Sequence, residues 1–148
     1  MKSLALIFFL FFICSSFTPH NEGNCIEVFV LANTTWRVAG GCLENENQTS
    51  FSIYAQNTSG DPMNRWGYFI SFTDKTFKTN YRAQCGVDCF TSVTGSYKLL
   101  DNNKIEFYVE QISRSSLCGL ESESPKKSFG VFFIESGANG ISFTKIDR

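Results

Sequence analysis

Apolar and polar side chains alternate one by one in several short stretches of this chain, and that period of two limits the fold more than any other feature. Phe51, Ile53 and Ala55 alternate with Ser52, Tyr54 and Gln56, while Phe77, Thr79 and Tyr81 alternate with Lys78, Asn80 and Arg82. In an extended chain successive side chains point to opposite faces, so such a stretch has one face for a core and one for water.

Turn signals separate these stretches. Residues 66–72 and 76–82 read as a hairpin across Thr73-Asp74-Lys75. Residues 95–100 and 104–110 read as a second hairpin around Asp101-Asn102-Asn103, residues that tolerate the left-handed backbone of tight turns. Ile105, Phe107 and Val109 are expected to face the core. Residues 129–134 and 141–146 make a third hairpin, joined by a loop over 135–140. Residues 26–32, 35–39 and 51–56 add strands, with Gly40-Gly41 and Ser59-Gly60-Asp61-Pro62 as turns and 121–127 as a polar loop. Short strands at regular spacing, with no long helical period, predict an all-β fold: a single small antiparallel β-barrel or sandwich of eight or nine strands.

The first residues do not belong to that pattern. Met1-Lys2-Ser3 is a short positive segment, Leu4 to Ile13 is unbroken apolar sequence, and Cys14-Ser15-Ser16 supplies small residues. This is the layout of a signal peptide, 1–16, with cleavage at about 16–18, after Ser16 or Thr18. The apolar run is too short to span a bilayer, which takes about 20 residues. In an alternative reading Cys14 is the acylated cysteine of a lipoprotein, and the protein is then anchored to a membrane. Residues 17–24 are polar and read as a flexible mature N-terminus. Residues 25–148 have the length of a single β-rich domain. The expected location is secreted, periplasmic or cell envelope.

Cysteine usage agrees with export. Of the six cysteines, ordinary cleavage removes Cys14 and leaves Cys25, Cys42, Cys85, Cys89 and Cys118. An oxidising compartment favours disulfides, and an odd number leaves one thiol over. Two bonds among five cysteines allow many connectivities; the pairing expected is Cys25 with Cys42, and Cys118 with Cys85 or Cys89. For Cys85 and Cys89 a structural disulfide is favoured over a metal or redox pair, because their spacing is not the C-x-x-C of redox proteins.

The central region has a recognisable order. Residues 66–72 precede the cysteine-bearing loop Cys85 to Cys89; then follow Gly95-Ser96-Tyr97-Lys98-Leu99, Lys104-Ile105 and Ile112-Ser113-Arg114-Ser115-Ser116-Leu117-Cys118. Together with Trp36 in Thr34-Thr35-Trp36-Arg37-Val38, this order resembles the META domain family of small β-rich envelope or secreted proteins, over roughly residues 34 to 119. The resemblance implies an envelope protein with a structural or stress-related role. The early Trp36 also resembles that of lipocalin-like barrels. Neither family fixes a ligand, since fold does not fix function.

Charge and composition exclude several functions. Thirteen Lys and Arg are scattered among fourteen Asp and Glu, for a formal net charge of −1, so no basic surface for nucleic acid is expected. His20 is the only histidine. That leaves little for a Ser-His-Asp or Cys-His arrangement or a catalytic zinc site, and no phosphate-loop or metalloprotease motif occurs. No catalytic residue, metal or cofactor is expected, and the acidic run Glu44-Asn45-Glu46-Asn47 reads as solvated turn rather than a calcium loop. Sixteen Phe among 16% aromatic residues supply a packed core. Trp36, Trp66, Tyr68, Phe72 and Phe132 are the residues to examine for an apolar ligand cavity, with 66–72 and 129–134 as faces for a partner. The expected function is an exported, non-catalytic domain that binds a small apolar ligand or a protein, touching a membrane only through an anchor on Cys14.

Overall fold

A computed structural model describes residues 31–56, 65–84, 89–100 and 103–146. Eight strands follow in chain order: β1 (Thr34–Val38), β2 (Ser50–Ala55), β3 (Gly67–Phe72), β4 (Thr76–Arg82), β5 (Thr91–Leu100), β6 (Lys104–Arg114), β7 (Lys127–Gly137) and β8 (Gly140–Lys145). They close into one barrel in the order β1-β2-β8-β7-β6-β5-β4-β3, and every pairing is antiparallel. The fold is all-β, as the alternation requires. The expected leader and cleavage site, Cys14, Cys25, Cys85 and residues 17–24 lie outside the described residues, as does most of the strand expected over 26–32. Leu31 and Ala32 are a turn leading into β1. No helix among the described residues is long and apolar enough to cross a membrane.

From β3 to β8 each strand pairs with the next. β1 and β2 depart from that order: β1 lies between β2 and β3, and β2 pairs with β8 to close the ring. β2 and β3 therefore run parallel on either side of β1. Closure gives every strand a neighbour on both sides, although β4 meets β5 only over Thr76, Phe77 and Lys78,.

The inward rows explain the alternation. Ile105 sits opposite Phe132, Phe51 opposite Phe143, and Phe72 opposite Phe77. An eight-stranded barrel is just wide enough for side chains to fill, and here phenylalanine fills it. Phe51 stacks on Phe143 at 4.6 Å between ring centroids, while Phe107 meets Phe77, Phe132 and Phe143 edge-on at 5.3, 5.7 and 6.0 Å. Edge-to-face and offset-stacked contacts of this kind add to burial itself. The expected core residues Ile105, Phe107 and Val109 are all fully buried.

Two hairpins are longer than the sequence suggested. β5 starts at Thr91 and β6 runs to Arg114, because a register shift between Thr94 and Gly95 lets the ladder continue past the irregularity. Gly95 is needed there: a Cβ on it would lie 2.0 Å from the Tyr108 carbonyl oxygen and about 3 Å from the Phe77 ring. The loop expected over 135–140 is instead a tight turn. Glu135, Ser136 and Gly137 belong to β7 and Gly140 opens β8, with Gly137 facing Gly140 across Ala138-Asn139. The loop expected over 121–127 also touches the sheet, through an isolated bridge between Glu123 and Ile112.

Candidate functional site

The upper end of the barrel is where β2 stops. β2 pairs with β8 only as far as Tyr54 opposite Gly140, and there the backbones approach closely: a Cβ on Gly140 would lie 2.1 Å from the Ile53 carbonyl oxygen. Above that point the β7–β8 turn and the end of β2 border an open cleft of about 730 Å³. Trp36, Ile141, Tyr54, Gln56, Ser136 and Asn139 are among the residues that line it. A second cleft of about 580 Å³ shares Tyr54, Ala55 and Gln56, then runs over β1 past Arg37 and Gly40 to Gly67 and Tyr68.

Trp36 is fixed in place. It lies opposite Ala55 and Ile70 and packs partly against the core. Its indole N–H donates to Thr34 Oγ1 at 2.7 Å, and that hydroxyl donates to the Leu31 carbonyl oxygen at 2.5 Å. Tyr54, on the outward row of β2, is 40% exposed.

The five aromatics singled out in the sequence do not share a cavity. Trp36 lines the mouth cleft and Tyr68 the neighbouring one. Phe72 is buried against Tyr97, with their rings edge to face at 5.4 Å, and Phe132 belongs to the phenylalanine cluster. Trp66 is half-buried just before β3. Phe69 faces away from the lumen, opposite Arg37 and Asn80, yet is fully buried, with the Arg82 guanidinium 4.4 Å from its ring centroid. Gln56, Ser136 and Asn139 were not legible as site residues. They sit at strand ends and in a turn, where polar residues are ordinary, and only the long-range β2–β8 pairing brings them together.

The lower end is plugged. The chain between β1 and β2 folds over it and buries Cys42 and Leu43 in the core. Leu43 adopts φ of 58°, an uncommon conformation for a bulky residue. Gln48 holds it there: its Oε1 accepts from the Leu43 N–H at 2.6 Å, and its Nε2 donates to the Gly41 and Ser50 carbonyls at 3.2 and 3.3 Å. Glu46 pairs with Lys127, and Lys145 Nζ donates to the Glu46 carbonyl oxygen. The acidic run is thus tied to basic residues. Among the described residues no cluster of three or more His, Cys, Asp or Glu is placed to hold a metal ion.

Charge at this end is unevenly matched. Arg114 Nη1 pairs with Glu123 at 2.6 Å and donates to the Glu121 carbonyl. Burial pushes the Glu44 carboxyl above the usual carboxylate range, and Arg114 only partly offsets it. Burial, with Glu44 adding to it, also pushes the Cys42 thiol up.

Cys89 and Cys118 form a disulfide across 29 positions, one of the two pairings expected for Cys118. The pairing of Cys25 with Cys42 is not formed, because Cys42 is a free, buried thiol. It packs as a small apolar side chain under the plug. The disulfide is compatible with an extracellular or periplasmic location,.

No family model, no curated protein and no solved structure matches this chain.

Proposed function

We propose that this chain is an exported, non-catalytic binding module that engages a small molecule or a segment of a partner protein at the mouth of its barrel rather than in its lumen. The observation that carries the reading is the filled interior. Phe51, Phe107, Phe132 and Phe143 occupy the space in which a larger or emptier barrel holds a ligand,. Room for a ligand is found instead in the mouth cleft and in the adjoining one that runs over β1. Their mixture of aromatic surface and a few polar groups is that of a small-molecule site.

Two features support a role without catalysis. The only histidine is His20, and the free thiol of Cys42 is shifted away from the thiolate by burial, the reverse of what a nucleophile needs,. The leader sequence and the Cys89–Cys118 disulfide support action outside the cytoplasm,.

A fragment screen by 1H–15N NMR, with small aromatic and aliphatic compounds, tests this reading. Saturable shifts are expected at residues 36–40, 54–56, 67–68 and 136–141. Shifts centred on Phe107 and Phe132, or no saturable shift anywhere, would count against it.

A further inference from the structure

We propose that the mouth cleft takes a neutral saccharide, an inference that rests on the binding-module reading above and narrows its ligand class. The argument starts from what the lining lacks. Apart from the Tyr54 phenol, the residues around the cleft carry no ionisable side chain. A charged ligand would find no counter-charge there to offset the hydration it gives up on contact.

A pure hydrocarbon fits no better. The side chains of Gln56, Ser136 and Asn139 line the cleft and are hydrogen-bonded to no other described residue. Covering them with apolar surface would strip their water and leave donors and acceptors unpaired. An extended peptide is usually captured by adding a strand to an open sheet edge, and at the mouth β2, β8 and β7 are already paired with one another.

A sugar ring answers each feature in turn. Its hydroxyls are donors and acceptors at once, and a planar side-chain amide offers one of each to a neighbouring pair. Its C–H faces are apolar and suit a flat aromatic surface. Trp36 provides that surface already oriented, because its N–H is held by Thr34 and its ring rests on the core. Tyr54 reaches the cleft from the outward row of β2 and is exposed. A pre-set ring lowers the ordering cost of binding, and about 730 Å³ falls in the usual range of small-molecule sites, about 300–1,000 Å³.

The test is a titration of the folded chain with uncharged hexasaccharides of β-linked glucose, α-linked glucose, N-acetylglucosamine and mannose, read by NMR and tryptophan fluorescence. At least one should give saturable shifts of the Gln56 and Asn139 side-chain amides. Gln56→Ala and Asn139→Ala should each weaken it about five- to tenfold, the equivalent of one lost hydrogen bond, with circular dichroism unchanged. If fragments shift the mouth residues but no hexasaccharide does so at millimolar concentration, the saccharide inference fails and the binding-module reading stands. If neither shifts them, both fail. Saccharide binding that survives both substitutions overturns the assignment to this cleft.

Discussion

Gln48 and Glu44 decide how tightly the lower end of the barrel is shut. Gln48 makes three hydrogen bonds that hold Leu43 in its left-handed conformation above Cys42. Removing them should let the plug open locally without unfolding the barrel. For Gln48→Ala we expect Cys42 to be alkylated at least about tenfold faster than in the unaltered chain, in line with roughly 1 kcal/mol per hydrogen bond, as measured by peptide mapping after timed labelling. Glu44 acts in the opposite sense. Burial raises its pKa in the folded state and Arg114 only partly restores it, so the folded chain holds the Glu44 proton more tightly than the unfolded one. That contribution is fully present below the unfolded carboxylate pKa and is lost as pH rises through the raised folded value. Glu44→Gln should therefore raise the Tm at pH 7, with the gain vanishing as pH falls below the ordinary carboxylate range. Arg114 keeps Glu123 as a partner in that variant. None of this was legible in the sequence. A cysteine destined for a disulfide and one destined for a core look alike until the fold shows Cys42 buried with Leu43 in the core.

Hairpins were the most legible elements, because their signals are local. The β3–β4 pair was read within a residue, from alternation and the Thr73-Asp74-Lys75 turn, and Thr73 and Thr76 do close that turn through their backbones. Asn103 takes φ of 59°, the conformation its type tolerates. Where an element contains an irregularity, local reading stopped too early. Gly95 reads as a strand start, yet it lies inside β5 at a register shift that depends on Tyr108 and Phe77 from other strands. Likewise the polar, glycine-rich stretch 135–140 reads as a loop, though all but two of its residues extend the β7–β8 ladder. The segment after β6 carries its own fastener: the 3-10 turn Ser116–Cys118 is joined to Cys89, just before β5, by the disulfide. Replacing both cysteines with serine should cost about 3–4 kcal/mol, the loop-closure entropy of a link spanning 29 positions,. It should lower the Tm by about 10 °C or more in a chain of this size, checked by calorimetry.

At the scale of the whole molecule, composition and alternation gave the class of fold but could not choose between a barrel and a sandwich. That choice depends on β1 pairing with both β2 and β3, and on β2 reaching β8. These contacts are distant in sequence and carry no local signal. The same pairings build the mouth cleft, which is why Trp36 was visible in the sequence and Gln56, Ser136 and Asn139 were not. The central claim is that the lumen is solid and binding belongs to the mouth. Xenon enters apolar cavities that water leaves empty, so aromatic 1H–13C spectra recorded under xenon pressure test the claim directly. The phenylalanine cluster of Phe51, Phe107, Phe132 and Phe143 should show no saturable shift. A saturating response centred on Phe107 and Phe132 would reveal a cavity inside the barrel and contradict the account.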